Sequence, residues 1–248
     1  NRITKSFVCL RQILIFEKQE FPGRVSSFTL PLNCLFYMLS VETIGVALIG
    51  YILGSIPFGV LIAKKNGVDI FSVGSGNPGA TNVLRTIGKP AGYLVFFLDF
   101  LKGLIATTWF LFPWISFSGD ISLGLWGLPG AVLGHTYPLF TGFRGGKGVA
   151  TTMGGLLGVM PGCLILGLVT WGIVFFSTRY VALASIGFGI SLPVCAMVNA
   201  WSNEEPNGAM GKVFLAFVIM CWIIWRHRSN IIRLREGTEN RFQKKSKN

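Results

Sequence analysis

The chain has 248 residues, a formal net charge of +12 and a mean hydropathy of +0.59, and 51% of its residues are hydrophobic. This composition is too apolar for an ordinary soluble domain, and apolar runs of about 18 residues or more recur, which predicts an all-α integral membrane protein. The positive charges lie in loops and near the carboxyl end rather than on a soluble face, so nucleic acid is excluded as a partner and anionic lipid headgroups are favoured.

Residues 1–37 contain no methionine and no sustained helical period, and Met38 precedes the first apolar run. We expect 1–37 to be a non-native or disordered extension, 38–239 to form the membrane domain and 240–248 to be a basic tail. A signal peptide is the competing interpretation, but Glu17, Lys18 and Pro22 interrupt any hydrophobic core of the needed length.

The first predicted span runs from Thr43 to Ala63 and contains Pro57 among small residues. A proline in that setting predicts a kink or a close helix contact. With Lys64 and Lys65, which end the span, the polar stretch from Asn66 to Pro90 holds four basic residues against one acid, Asp69, which predicts that it faces the cytoplasm.

Within that stretch, residues 74–85 form a polar, glycine-rich loop. Its glycines and Pro78 exclude a regular helix or strand, so we expect free backbone N–H groups to converge on an anion such as phosphate. Ser75 and Thr81 add neutral hydrogen bonds, and Arg85, one or two turns into a following helix, offers a bidentate fork. The G-x-G-x-x-G match is weak because Pro78 falls inside it, and a plain connecting loop with helix-capping residues is the alternative.

The second predicted span, Ala91 to Phe112, places Asp99 and Lys102 on one helical face. Either the two form a neutralised pair that fixes helix packing, or they are functional groups inside the membrane. The third span, Leu123 to Phe140, leads into a second basic, glycine-rich loop at 141–151 on the same side of the membrane.

The apolar stretch from Thr152 to Ser177 is interrupted at Pro161, so it forms either one kinked span or a hairpin. Further spans run from Tyr180 to Asn199 and from Lys212 to Trp225, separated by an acidic loop at Glu204. The basic tail should be cytoplasmic and the acidic loop outside, and only the hairpin satisfies both. We therefore predict seven transmembrane helices, one pair short with arms of about twelve residues, with the N-terminus outside and the C-terminus cytoplasmic.

A helical reading of the segment after Trp225 places His227, Asn230 and Leu234 on one face, and beyond Gly237 we predict a frayed basic tail. The two loops and this segment would then converge on the same membrane face. Such a basic pocket can hold one phosphorylated soluble molecule and one amphiphile whose chain enters the bilayer.

The absence of several sequence motifs argues against particular classes of enzyme. The sequence has no Walker A pattern, no G-x-S-x-G elbow and no H-x-x-x-x-D arrangement, and carboxylates are scarce on the predicted inner face. A mechanism built on a strong general base is therefore poorly supported. The five cysteines have neither paired nor metal-ligand spacing, so neither a disulfide nor a zinc site is implied.

Three segments carry a family resemblance: Gly74 to Arg85, His135 to Thr151, and Arg226 to Glu239. In this order and spacing they resemble the signatures of the bacterial acyl-phosphate:glycerol-3-phosphate acyltransferases, over about Met38 to Glu239. The resemblance implies that residues 38–239 are a membrane-integral acyltransferase domain in the bacterial inner membrane with its site on the cytoplasmic face. It implies transfer of a fatty acyl group from acyl phosphate to the 1-hydroxyl of glycerol 3-phosphate, without cofactor or metal, giving lysophosphatidic acid and inorganic phosphate. It leaves open a functional link to the soluble enzyme that produces acyl phosphate.

The resemblance also assigns site residues. Those expected to be catalytic are Ser75, Arg85, Lys147, His227 and Asn230. Those expected to bind substrate are Gly74, Gly76, Asn77, Thr81, Asn82, Arg144, Gly145, Gly146 and Arg233. In this hypothesis the first loop and Arg85 hold one phosphate, Lys147 and its glycine loop neutralise the other or the departing one, and His227 with Asn230 orients the attacking hydroxyl. Either His227 or a substrate phosphate oxygen accepts the proton.

Two other classes stay open. A transporter of phosphorylated solutes would place its site near the bilayer midplane, and only the pair of Asp99 and Lys102 points that way. A non-catalytic membrane anchor would not require three separate segments suited to binding phosphate.

Overall fold

The structure is a computed structural model that describes residues 41–112, 121–202 and 206–242, with the backbone alone at 206–208. The extension predicted at residues 1–37 lies outside these ranges. The chain divides into two compact units, Asn1–Thr43 and Ile44–Asn248. The contacts below belong to the second unit.

The regular secondary structure of the described residues is helical, with no β-strand among them. The α-helices are α1 Val41–Gly54, α2 Phe58–Lys65, α3 Ala80–Thr86, α4 Lys89–Thr108, α5 Gly124–Thr136, α6 Val149–Val159, α7 Pro161–Thr178, α8 Val181–Ser202, α9 Pro206–Arg226 and α10 Arg228–Arg235. Short 3-10 turns lie at Trp109–Leu111, Ile121–Leu123 and Leu139–Thr141.

Five helical stretches of the described chain are long and apolar enough to cross a membrane. They are Val41–Lys65, Lys89–Leu111, Pro161–Thr178, Val181–Ser202 and Ala209–Arg226. This confirms the all-α architecture with several membrane-spanning helices.

The first stretch is two helices rather than one. Between α1 and α2, Pro57 has φ −91° and ψ 67°, because its ring and missing N–H prevent the helix from continuing. The Lys102 ammonium donates to the Ile56 carbonyl at this break, with 2.9 Å between Nζ and O. The predicted kink at Pro57 is therefore confirmed.

The prediction for the third span is wrong in its extent. Helix α5 ends at Thr136, not Phe140, because Tyr137 leaves helical geometry and Pro138 is extended at φ −70° and ψ 134°. With 13 residues, α5 is about 20 Å long, against about 30 Å of bilayer hydrocarbon.

The stretch from Thr152 to Ser177 is divided at Met160, whose φ of −145° and ψ of 59° separate α6 from α7. Helix α6 has 11 residues, close to the predicted short arm. Helix α7 has 18 residues, so the prediction of two equally short arms is wrong for the second.

Glycines let the short helix α6 pack closely against α4. A Cβ at Gly103 would clash with the backbone of Thr151, and one at Gly154 would clash with the backbone of Phe100. Residues 151–156 are all buried. Helix α6 is therefore shielded by its neighbours, as small residues allow in membrane bundles.

Asp99 and Lys102 form a buried ion pair, with 2.8 Å between Oδ1 and Nζ. His135 of α5 places Nδ1 3.4 Å from the same carboxylate oxygen. Since Lys102 also reaches the α1–α2 break, this cluster ties three parts of the bundle together. The contacts support the packing interpretation of the pair.

Candidate active site

The first glycine-rich loop is closed by the buried side chain of Asn82. Its Oδ1 accepts from the Ser75 N–H at 3.0 Å, and its Nδ2 donates to the Val73 carbonyl at 3.1 Å. Gly74 and Gly76 permit this tight path because their φ values are +59° and +65°. Asn82 therefore shapes the loop and leaves the Ser75 side chain exposed.

Part of the expected backbone cradle is already occupied. The Gly79 N–H donates to Asn77 Oδ1 at 2.9 Å, and the Gly76 N–H donates to the Val73 carbonyl at 3.0 Å. The prediction that free amides of this loop converge on an anion is therefore wrong for residues 75, 76 and 79. The side chains of the loop remain available to bind a ligand.

The second glycine-rich loop is fixed against α5. The Gly146 N–H donates to the His135 carbonyl at 3.1 Å, and Gly146 lies so close to the His135 ring that no Cβ fits. Arg226 donates to the Gly146 carbonyl at 3.0 Å from the other side. Gly148, with φ +84°, then turns the chain into α6. These contacts set the position of Lys147.

The segment around α10 completes the site. Lys147 Nζ donates to Asn230 Oδ1, and Asn230 Nδ2 donates to Glu239 Oε1 at 2.9 Å. Arg233 Nε donates to Glu239 Oε2 at 2.8 Å. Residues from the second loop and the tail thus form one hydrogen-bonded chain.

His227 is buried at the start of α10. Its Nδ1 lies 2.8 Å from the Ile223 carbonyl, an acceptor, so Nδ1 must carry the hydrogen. The Nε2 lone pair of the neutral imidazole is left to accept a hydrogen bond.

These segments enclose a cavity of about 640 Å³. The predicted site residues that line it are Ser75, Asn77, Thr81, Asn82, Arg85, Lys147, His227, Asn230 and Arg233. Its apolar lining includes Tyr93, Phe96, Met153, Leu168, Trp171 and Phe175. A cationic part and an apolar, aromatic part share one space.

Other predicted site residues lie outside that lining. Gly74 and Gly76 shape the first loop instead. Arg144 lies over the Phe71 ring, 4.2 Å from its centroid, and with Gly145 and Gly146 it lines a smaller neighbouring cavity. Arg144 and Lys147 therefore line different cavities, and binding of substrate by Arg144 stays a prediction.

Comparison with known proteins identifies the family. A model of the glycerol-3-phosphate acyltransferase family matches residues 44–237. The chain belongs to this family. The glycerol-3-phosphate acyltransferase of Aquifex aeolicus is 45% identical over 202 residues, covering 82% of this chain and all of the relative. That of Geobacter sulfurreducens is 42% identical over 200 residues, covering 79% of this chain and 95% of the relative.

Solved structures agree with this assignment. The crystal structure of PlsY, an integral membrane glycerol 3-phosphate acyltransferase, in its glycerol 3-phosphate form has a TM-score of 0.72 and 44% identity, covering 81% of this chain and 96% of that chain. Its lysophosphatidic acid form has a TM-score of 0.69 and 43% identity, covering 81% and 95%. The resemblance inferred from the three motifs is confirmed, and the acyltransferase is an integral membrane protein.

Burial sets the charge states in the site of the acyltransferase. It lowers the pKa of Lys147 to about 8, although the nearby Glu239 carboxylate opposes the shift. It lowers the pKa of His227 to about 3, and the positive charge of Lys147 acts in the same direction. His227 is therefore neutral and weakly basic near neutral pH.

Sequence reasoning missed the ordered residues after Gly237. Glu239 is buried, and Asn240 and Phe242 line the cavity, so the prediction of a frayed tail is wrong for residues 238–242. The Phe242 N–H donates to the Arg179 carbonyl at 3.0 Å. The available signal for Glu239 was that it is one of only two carboxylates in the basic segment after Trp225.

In the part of the chain that the structure describes, no group of three or more His, Cys, Asp or Glu side chains could hold a metal ion. The polar groups that line the cavity include nitrogen donors, hydroxyls and amides, and its carboxylates, Asp99 and Glu239, are paired with Lys102 and Arg233. Nitrogen donors, hydroxyls and amides suit a phosphorylated ligand.

Proposed function

We propose that this acyltransferase transfers a fatty acyl group from acyl phosphate to the 1-hydroxyl of glycerol 3-phosphate, giving lysophosphatidic acid and inorganic phosphate. The cavity that combines cationic and aromatic linings carries the proposal, because acyl phosphate is an anion at one end and an alkyl chain at the other. The solved relatives, which are described in a glycerol 3-phosphate form and a lysophosphatidic acid form, support the acceptor and the product.

In the proposed reaction the 1-hydroxyl oxygen attacks the acyl carbonyl carbon, and the bond from that carbon to the phosphate oxygen breaks. Arg85 and Lys147 neutralise the phosphates and stabilise the departing one. One preorganised donor of this kind contributes about 3 kcal/mol to the transition state. Ser75, Asn77 and Thr81 add neutral hydrogen bonds.

The proton of the attacking hydroxyl goes to a phosphate oxygen in this proposal. A phosphate monoester has a second pKa of about 6, whereas the pKa of His227 is about 3, so the phosphate is the stronger base. His227 accepts the hydroxyl hydrogen bond at Nε2 and orients the oxygen. Asn230 holds Lys147 beside it.

We propose seven membrane crossings, with the N-terminal end of α1 outside and the tail in the cytoplasm of a bacterium, at its cytoplasmic membrane. Contacts among four basic segments support this arrangement: Arg85 with Asn240, Lys147 with Asn230, Arg226 with Gly146, and Arg241 with Thr178. Between these four basic segments the chain crosses and returns three times, through the helix pairs α4 and α5, α6 and α7, and α8 and α9. With α1 and α2 as one crossing, the number is seven, and the basic side is cytoplasmic by the positive-inside rule.

The decisive experiment measures phosphate release by the purified protein in detergent, where transport contributes nothing, with acyl phosphate and with or without glycerol 3-phosphate. We expect release to require glycerol 3-phosphate and to collapse in Arg85→Ala. The exposed Arg235 on α10 supplies the control, since Arg235→Ala removes the same charge outside the cavity. A folded, monodisperse wild-type sample without release would contradict the proposal.

His227→Gln separates the two proton acceptors. If His227 only orients the hydroxyl, we expect a modest loss of turnover. A loss of several powers of ten would instead identify His227 as the base.

A further inference from the structure

The segment after α10 returns to the site through residues Asn240–Phe242, which we call the tail segment. Its Asn240 carbonyl accepts a hydrogen bond from Arg85, with 3.0 Å between the oxygen and a terminal guanidinium nitrogen. The Arg85 guanidinium carbon also lies 4.8 Å from the centroid of the Phe242 ring. Two contacts from the tail segment therefore fix one arginine.

The tail segment is itself fastened to the end of α7. The Phe242 N–H donates to the Arg179 carbonyl at 3.0 Å, and Arg241 Nε donates to the Thr178 carbonyl at 3.1 Å. The Phe242 ring meets the Phe175 ring edge-on, with 5.8 Å between centroids. These anchors make the tail segment a defined wall of the cavity.

The Arg85 side chain depends on contacts from the tail segment for a fixed position. It is an exposed residue on the seven-residue helix α3, and no ion pair to it occurs among the described side chains. A long side chain without a partner loses rotamer freedom when it clamps a phosphate. A ring face and a carbonyl hold the guanidinium in place beforehand and leave its other N–H groups available.

We propose that Phe242 and the main-chain carbonyl of Asn240 are positioning elements that preorganise Arg85 to bind the phosphate of the substrate. This inference rests on the proposed role of Arg85 as a phosphate clamp. The tail segment touches Arg85, so it acts on the reaction through that side chain.

Two truncations give a matched test. Ending the chain after Glu239 removes the tail segment but keeps the partner of Asn230 and Arg233, and we expect kcat/KM to fall by about tenfold or more. Ending it after Phe242 keeps the tail segment, and we expect wild-type kinetics. Equal kinetics for the two truncated proteins would overturn the inference.

Point variants distinguish the aromatic ring from simple bulk. Phe242→Tyr keeps the ring face and should retain activity, whereas Phe242→Leu keeps apolar volume and should lose nearly as much as Phe242→Ala. In an Arg85→Lys background, which removes the planar fork, Phe242→Ala should cost less than about twofold. Losses that multiply independently in the double variant would contradict action through Arg85.

A second readout does not depend on catalysis. Inorganic phosphate should raise the melting temperature of the wild-type protein, and Phe242→Ala should reduce that shift while Phe242→Tyr preserves it. If the wild type shows no acyl transfer, the proposed function fails, and the phosphate-dependent shift still tests the tail segment. An identical shift in Phe242→Ala and the wild type would overturn the inference by itself.

Discussion

Replacing Gly146 by alanine tests whether the position of Lys147 depends on the contact between its loop and α5. The added Cβ would lie 2.8 Å from Cε1 and 3.1 Å from Cδ2 of His135, and closer still to Nε2, whereas ordinary contacts begin at 3.4 Å. The ring is held by Asp99 and the loop by Arg226, so about 1 Å of movement is forced onto a constrained segment. A misplacement of about 1 Å can cost about 100-fold, which corresponds to about 2.7 kcal/mol of transition-state stabilisation.

The assay is phosphate release as a function of both substrates, giving kcat/KM for Gly146→Ala relative to the wild type. Gly172→Ala on α7 is the control, because a Cβ there meets nothing within 4 Å. The melting temperature of each purified variant shows whether the loss is local. Near-normal kcat/KM in folded Gly146→Ala would refute the idea that this contact sets the position of Lys147.

Three further predictions concern charge and packing. Because the pKa of Lys147 is lowered to about 8, its positive charge is lost as the pH rises through that value, so KM for the phosphorylated substrates should increase above about pH 8. Lys147→Arg, which stays protonated, should remove that increase. Asp99→Asn leaves the Lys102 ammonium buried without its counter-charge and should lower the free energy of unfolding by about 3 to 5 kcal/mol, a loss that Lys102→Met in the same protein should largely reverse. Gly103→Ala places a Cβ against the Thr151 backbone and should cost about 1 to 3 kcal/mol in detergent unfolding, without a selective effect on KM.

The breaks in the bundle could be predicted from sequence because they depend on covalent chemistry. Pro57 lacks the donor that a continuous helix needs, and Pro161 follows the break at Met160 for the same reason. Long apolar runs likewise predicted the membrane helices. The three basic segments could be recognised because arginine and lysine are rare in hydrocarbon and concentrate at its edge.

Other parts of the site depend on contacts between distant segments, which local patterns do not encode. The composition of the first loop suggested free amides, yet Asn82 and Asn77 occupy two of them. Arg144 and Lys147 are three residues apart, but the turn around Gly145 and Gly146 sends them to different cavities. The tail beyond Gly237 looked unstructured because its order comes from α7 and α10, not from its own propensity.

Several arginine side chains in this molecule donate to main-chain oxygens and form no ion pair with a described carboxylate. Arg85 donates to the carbonyl of Asn240, Arg226 to that of Gly146 and Arg241 to that of Thr178. Every residue has a main-chain carbonyl. Each of these hydrogen bonds therefore requires a particular donor side chain but no particular side chain at the acceptor position. As far as these hydrogen bonds are concerned, the side chains at positions such as 240 can change during divergence while the geometry at their partners persists. Residues that support a site in this way leave little trace in aligned sequences, and their contribution is visible only in the folded chain.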